Sequence, residues 1–374
     1  MATEIATLYG VPHSLYTGRA RSYLIKAGIP YRERAPTSNH FREVVVPAAG
    51  GRLGLPTLEF PDGAVIRDGA AIIDHFEDAS GHAFSPSSPR QNLISLLFDV
   101  LGAEGLLRPA MHYRWNFPER NLAFLEHHFR LLFPKGPAQA DLARRAADSM
   151  RAATLAFGVA PDAREMVEAV YLDVLTALDA HFEQYPYLLG NRPCIGDFGM
   201  IAPLFAHLGR DPEPLAIMQA RAPSLLRWVE RMNRAEPDRV EFEDDDESWL
   251  ANDAIPDTLS AVMKALAEDF VPETLAAAKC INQWLEAQEG LESGTEVQRG
   301  VGFGEFEVRG AGVKALAQPY RFYLLARVQR AYTELDGEDR EAMDALLAAV
   351  DMTPLLGATL ARAIGRERNL EVWR

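Results

Sequence analysis

Cysteine is nearly absent from this chain. Cys194 and Cys280 are the two in 374 residues, far apart in sequence, which excludes a disulfide framework and any cysteine-based metal spacing and fits a reducing compartment. Cationic surplus is missing too: 38 Lys and Arg stand against 53 Asp and Glu, a net charge of −15, where a nucleic-acid binder would carry a basic face. No apolar run reaches the roughly eighteen residues of a membrane span. The opening "MATEIATLYG" carries an acid and lacks the basic and apolar regions of a secretion signal, so the expected location is the cytoplasm. Nine His occur, none with HExxH or comparable spacing, and neighbours such as His127 and His128 would point to different sides of a helix; no metal is expected. What the chain does have is apolar material, 48% of its residues, enough for two or three buried cores.

Residues 1–80 alternate between strand and helix patterns. "IATLY" reads as strand, Thr17 to Ala27 as helix stopped by Gly28, and "PYRERAP" as a second extended run. "LPTLEF", a turn at Pro61-Asp62-Gly63, and "AVIR" form a hairpin. The helix "DGAAIIDHFEDAS" follows, with Ala71, Ile72, His75 and Phe76 on one face. The Ser- and Pro-rich "GHAFSPSSPRQ" reads as a linker. From Asn92 to about Arg234 nearly everything is helical; the clearest segment opens at Pro161 and places Val167, Tyr171, Val174, Leu178 and Phe182 at steps of three and four. The acidic "EFEDDDE", Glu241–Glu247, reads as a solvated loop. Beyond it come more helices and a Gly-rich piece, "GVGFGEFEVRGAGVKA", whose alternation at Phe306 and Val308 predicts a short strand or hairpin covering a core.

The first strand hands over to the first helix through "LYGVPHSLYTGRARSYL", a corner with three hydroxyls at Ser14, Tyr16 and Thr17. A helix N-terminus presents unpaired N–H groups and the positive end of the macrodipole, so it suits a phosphate, carboxylate or thiolate. The alternative is that Ser14 or Thr17 only caps the helix.

In order and spacing, "LYGVPHSLYTGRARSYLIKAGIPY", "LGLPTLEF", "VIRDGAAIIDHFE", "YPYLLGNRPCIGDFGMIAPLFAHL" and "APSLLRWVERM" resemble the cytosolic glutathione S-transferases, over about the first 235 residues. The resemblance implies an α/β thioredoxin-like glutathione-binding domain over 1–80 and an all-α domain over 91–240. A mostly helical extension with a short hairpin then occupies 241–374, outside the usual family length. Glutathione would be the co-substrate, its thiolate transferred to a small electrophile, and two chains would pair as a homodimer. An interaction module without catalysis is the alternative. A glutathione-dependent reductase is disfavoured because the corner has no Cys for a mixed disulfide.

The resemblance also assigns roles. A thiol is mostly protonated at neutral pH, and a hydroxyl donor beside a helix N-terminus favours the thiolate. Ser14 stands at the position of the serine-type enzymes, with Tyr9 and then Tyr16 as alternates; against all three stands a capping Ser and a packed Tyr. Leu55-Pro56 matches the cis-proline turn that offers the preceding backbone, here of Leu55, to the cysteinyl part of glutathione. In "RDGAA", Arg67, Asp68 and Gly69 fall where the γ-glutamyl end is held. Gly69 departs from the usual Ser and removes a donor to a charged group, worth roughly 1.5–3 kcal/mol. In "CIGD", Asp197 keeps the family's helix-capping acid and is structural, while Cys194 replaces the stronger capper. Tyr113 and Arg114, in "MHYRW", border the acceptor-substrate pocket in the family; an Arg packed on aromatic rings is the alternative. The extension, for which the resemblance is silent, has in "PYRFYLLARVQRAYTEL" a run with Tyr320, Tyr323, Leu324, Val328 and Tyr332 near one face. Burial of each such side chain is worth roughly 1.5–3 kcal/mol. The expectation is an extension packed on the helical domain as one unit and partly roofing the acceptor pocket.

Overall fold

A computed structural model describes residues 5–243 and 246–374 of the chain. The first four residues of the opening segment, and Asp244 and Asp245 of the acidic run, lie outside the described residues. The first part runs β1 (Ala6–Tyr9), α1 (Leu15–Lys26), β2 (Tyr31–Arg34), a short α2 (Val46–Ala48), β3 (Thr57–Glu59), β4 (Val65–Arg67) and α3 (Gly69–Ser80). Its sheet has the order β2-β1-β3-β4, parallel between β1 and β2 and antiparallel elsewhere. Leu8 and Leu58 are opposite one another and fully buried, against Ala20 and Leu24 of α1 and Ile72 and Ile73 of α3. This is the α/β arrangement that the alternation of patterns predicts, and the thioredoxin-like one that the resemblance implies.

Eight helices follow: α4 (Pro89–Val100), α5 (Leu107–Trp115), α6 (Pro118–Phe129), α7 (Gln139–Ala152), α8 (Arg164–Phe182), α9 (Ile195–Ala206), α10 (Pro212–Arg221) and α11 (Pro223–Met232). The periodic positions of α8, from Val167 to Phe182, are all buried as their spacing predicts. Helices α4 and α9 cross backbone to backbone: a Cβ on Gly199 would lie 2.5 Å from the Cα of Asp99. Asp197 caps α9, accepting the N–H groups of Cys194 at 2.9 Å and Leu188 at 3.2 Å and the Trp228 indole N–H at 2.9 Å. Among the described residues no helix is long and apolar enough to cross a membrane.

The rest comprises the 30-residue α12 (Asp257–Glu286), β5 (Phe303–Val308) and β6 (Ala311–Leu316), α13 (Tyr320–Thr333), α14 (Gly337–Ala349), α15 (Pro354–Gly357), β7 (Ile364–Glu367) and β8 (Leu370–Trp373). Helix α12 lies along α8, and α13 along α4. The β5-β6 hairpin turns on Arg309-Gly310, both with positive φ, and covers Ala163, Val167 and Val170 as expected. The second hairpin, β7-β8, turns on Arg368-Asn369, also both at positive φ, as two-residue hairpin loops require.

Three expectations are corrected. On α3, His75 is exposed, while Ile73 and Glu77 are buried. Glu77 is drawn inward because it accepts the Tyr23 hydroxyl at 2.7 Å, the Phe84 N–H and the Ser85 hydroxyl, tying the linker down. The acidic run is not simply solvated: Glu241 pairs with Arg227 and Arg231, and Glu247 with Arg239. The extension does more than pack on the helical part, since α13 and the β7-β8 hairpin also reach the sheet.

Candidate active site

The register brings Tyr9, Thr57 and Arg67 side by side at one end of the sheet. The segments that leave this end are therefore neighbours: Gly10 to Ser14 ahead of α1, Leu55-Pro56 ahead of β3, and Asp68 ahead of α3. The Leu55–Pro56 peptide bond is cis, and the Pro56 carbonyl accepts the N–H of Asp68 at 3.0 Å. The N–H and carbonyl of Leu55 have no hydrogen-bond partner among the described residues. Two helix N-termini, with their unpaired N–H groups, thus flank a strip of unpaired backbone.

The three hydroxyl candidates are in different states. Tyr9 donates to Glu59 at 2.9 Å, and burial together with that carboxylate pushes its phenol up to about 12. Tyr16 donates to Glu104 at 3.2 Å; burial first and Glu104 second push it well above the usual phenol range. Both phenol protons are engaged by carboxylates. Ser14 caps α1, its Oγ accepting the Thr17 N–H at 3.4 Å, and its own proton has no acceptor among the described residues.

Asp68 has φ 87° and ψ 137°, a conformation non-glycine residues avoid and which persists where the surroundings enforce it. Gly69 has a steric reason. A Cβ there would stand 3.0 Å from the Tyr16 carbonyl oxygen, so α1 and α3 approach too closely for the Ser seen in the family without a shift. Beneath them Arg19 is fully buried and pairs through Nη2 with both oxygens of Asp99, at 2.5 and 2.7 Å.

The extension completes this end of the sheet. Tyr320 donates to Asp68 Oδ2 at 2.9 Å, and Arg366 Nη1 is 3.5 Å from the same oxygen. Asn369 treats the free edge of β4 as a neighbouring strand would: its side chain accepts the Arg67 N–H at 3.2 Å and donates to the Val65 carbonyl at 2.9 Å. The Arg67 guanidinium, expected at the ligand, is buried and donates to the Asn369 carbonyl at 2.8 and 2.6 Å and to Glu371 at 2.9 Å. An open cavity of about 740 Å³ lies between residues 50–52 and 296–299. Arg52, bonded to Glu296 at 3.1 Å, and Arg299, bonded to the Leu53 carbonyl at 3.1 Å, line it.

Tyr113 and Arg114 require correction as pocket residues. Arg114 is buried against Asp211, at 2.6 and 3.0 Å, and donates to the carbonyls of His13 and Ala206; Tyr113 packs on Phe117 and Tyr171. A carboxylate 97 residues away claims the guanidinium, so Arg114 is neither a pocket cation nor stacked on aromatic rings but one half of a buried ion pair. Sequence reading missed Tyr320, Arg366, Asn369, Arg52 and Arg299. The Asn in "RERNLE" is a signal for a left-handed turn residue, but nothing local says what the hairpin docks against. Among the described residues no group of three or more His, Cys, Asp or Glu is arranged to hold a metal ion.

A thioredoxin-like sheet followed by an all-helical domain, with a helix-start corner, a cis-proline turn and an acid ahead of α3, defines a glutathione transferase-like class. In agreement, residues 8–84 match the glutathione S-transferase N-terminal domain and residues 146–236 the glutathione S-transferase C-terminal domain, so these two parts of the chain are glutathione S-transferase domains. No curated protein matches the chain. Similar solved structures include a glutathione transferase of Phanerochaete chrysosporium, 16% identical, with 63% of this chain and 99% of that chain covered and a TM-score of 0.45. Others are glutathione transferase Omega 3C of Trametes versicolor (18%, 64% and 91%, TM-score 0.37) and a beta-etherase of Sphingobium sp. strain SYK-6 (17%, 61% and 94%, TM-score 0.39).

Proposed function

We propose that the Ser14 corner binds glutathione, holds its thiol as the thiolate and adds it to a small electrophile. The observation that carries this reading is the state of the three hydroxyls: Tyr9 and Tyr16 are committed to Glu59 and Glu104, while Ser14 keeps a free proton at the start of α1. A donor aimed at developing or resident negative charge, beside a helix dipole, lowers the cost of ionising the sulfur. The Leu55 N–H and carbonyl would pair with the cysteinyl backbone, and Arg52 and Arg299 offer cations to a ligand carboxylate. Replacing Ser14 by Ala should lower turnover of glutathione with a chloronitrobenzene about a hundredfold and leave glutathione affinity by calorimetry nearly unaltered. Unchanged turnover would sink the assignment. Pairing of two chains, which the resemblance implies, would have to use surface that the extension leaves free.

The partners of Asp68 favour a second reading, an interaction module without catalysis. No retention on immobilised glutathione and no turnover in the parent chain would select it.

A further inference from the structure

Asp68 stands ahead of α3, where the resemblance places the γ-glutamyl end of a ligand, and this chain already supplies partners for its carboxylate. The Tyr320 hydroxyl donates to Oδ2 at 2.9 Å, and the Arg366 guanidinium stands 3.5 Å from the same atom. Both are held firmly. Tyr320 opens α13 and packs its ring on Tyr323, centroids 5.9 Å apart. Arg366 pairs with Glu371 and donates to the Arg67 carbonyl, one residue before Asp68. The Asp68 and Arg366 side chains are left only 12% and 16% exposed. A ligand ammonium arriving here would find the carboxylate's charge already compensated and its hydrogen-bonding capacity partly used. The N–H groups at the start of α3 and the Leu55 backbone have no such competitor, and Arg52 and Arg299, though bonded to Glu296 and to the Leu53 carbonyl, line the open cavity.

We propose that Tyr320 and Arg366 are specificity-determining residues that take the place of a ligand's α-ammonium group at Asp68. The site then accepts carboxylate-bearing thiols without reading a free amino group, N-blocked or amino-free thiols as well as glutathione. This rests on the reading of the Ser14 corner as a thiol site. The two residues lie 252 and 298 positions after Asp68, in the part of the chain beyond both matched domains.

The test is calorimetry on the full chain with two probes, glutathione and N-acetylglutathione. The two should bind with dissociation constants within about threefold of each other, because a lost charge-assisted bond at Asp68 would otherwise cost about tenfold or more. The double variant Tyr320→Phe with Arg366→Ala frees Asp68 and should open a preference of about tenfold for the free amine. If that variant does not fold, Arg366→Gln serves in its place, and the wild-type ratio decides independently. A wild-type preference of about tenfold or more for glutathione would overturn the inference and leave the thiol reading standing. So would an unchanged ratio in a folded variant. Binding of neither probe by the wild type would overturn both.

Discussion

Two corners at the same end of the sheet are built from the same local device, a strand running into a helix N-terminus, and they differ in who owns them. At the Ser14 corner every partner is near in sequence or belongs to the first two parts of the chain: Thr17 three residues on, Glu59 for Tyr9, Glu104 for Tyr16. The Ser14 hydroxyl proton there has no acceptor among the described residues. At the Asp68 corner the partners come from the far end of the chain, Tyr320, Arg366 and Asn369, and little is left free. The lesson is that a helix start creates a capacity to bind, and residues hundreds of positions away decide whether that capacity faces a ligand or the protein itself.

The comparison can be broken most forcefully from underneath. Arg19 in α1 and Asp99 in α4 form a buried pair below both corners. Asp99→Ala leaves the guanidinium charged and without its carboxylate, which should cost about 3–5 kcal/mol in urea unfolding. A loss below about 1 kcal/mol would mean that solvent reaches Arg19.

The Ser14 side can be tested through Glu104. Burial holds this carboxyl up to about 7, against a usual 4.5. A carboxyl raised in the folded state contributes stability that is fully present below its unfolded value and is lost as pH rises through about 7. The parent should lose on the order of 3 kcal/mol relative to Glu104→Gln between about pH 4.5 and 8. Parallel stability profiles for the two proteins would show that Glu104 ionises freely.

The smallest effect sharpens the closed corner. Gly69→Ser restores the family's hydroxyl but sets a Cβ 3.0 Å from the Tyr16 carbonyl, so about 1 kcal/mol of stability should be lost. An equal or higher urea midpoint would mean that the two helices part easily and that Gly69 has another origin.

Much of this was legible before any coordinates. Periodicity placed the core of α8, alternation with turn residues predicted β5-β6, and the ordered motifs pointed to Ser14, Pro56 and Asp68 at one end of a thioredoxin-like sheet. These depend on local backbone preference and on which residues must leave water, both written in short stretches. The misreadings share one cause. Arg114 looked like a pocket residue until Asp211 claimed it, Arg67 looked like a ligand contact until Asn369 and Glu371 claimed it, and the β7-β8 hairpin gave no local hint of what it covers.

By itself, then, the sequence determined the order of the main elements and pointed to three places, Ser14, Pro56 and Asp68, that the fold brings to one end of the sheet. Only the tertiary structure decided which hydroxyl keeps its proton and which acid is already paired. Hydrogen bonds and ion pairs at Tyr9, Tyr16 and Asp68 join residues from 50 to 298 positions apart, and a buried polar group takes whatever partner the fold delivers, because leaving it unpaired away from water costs more than almost any rearrangement of side chains around it.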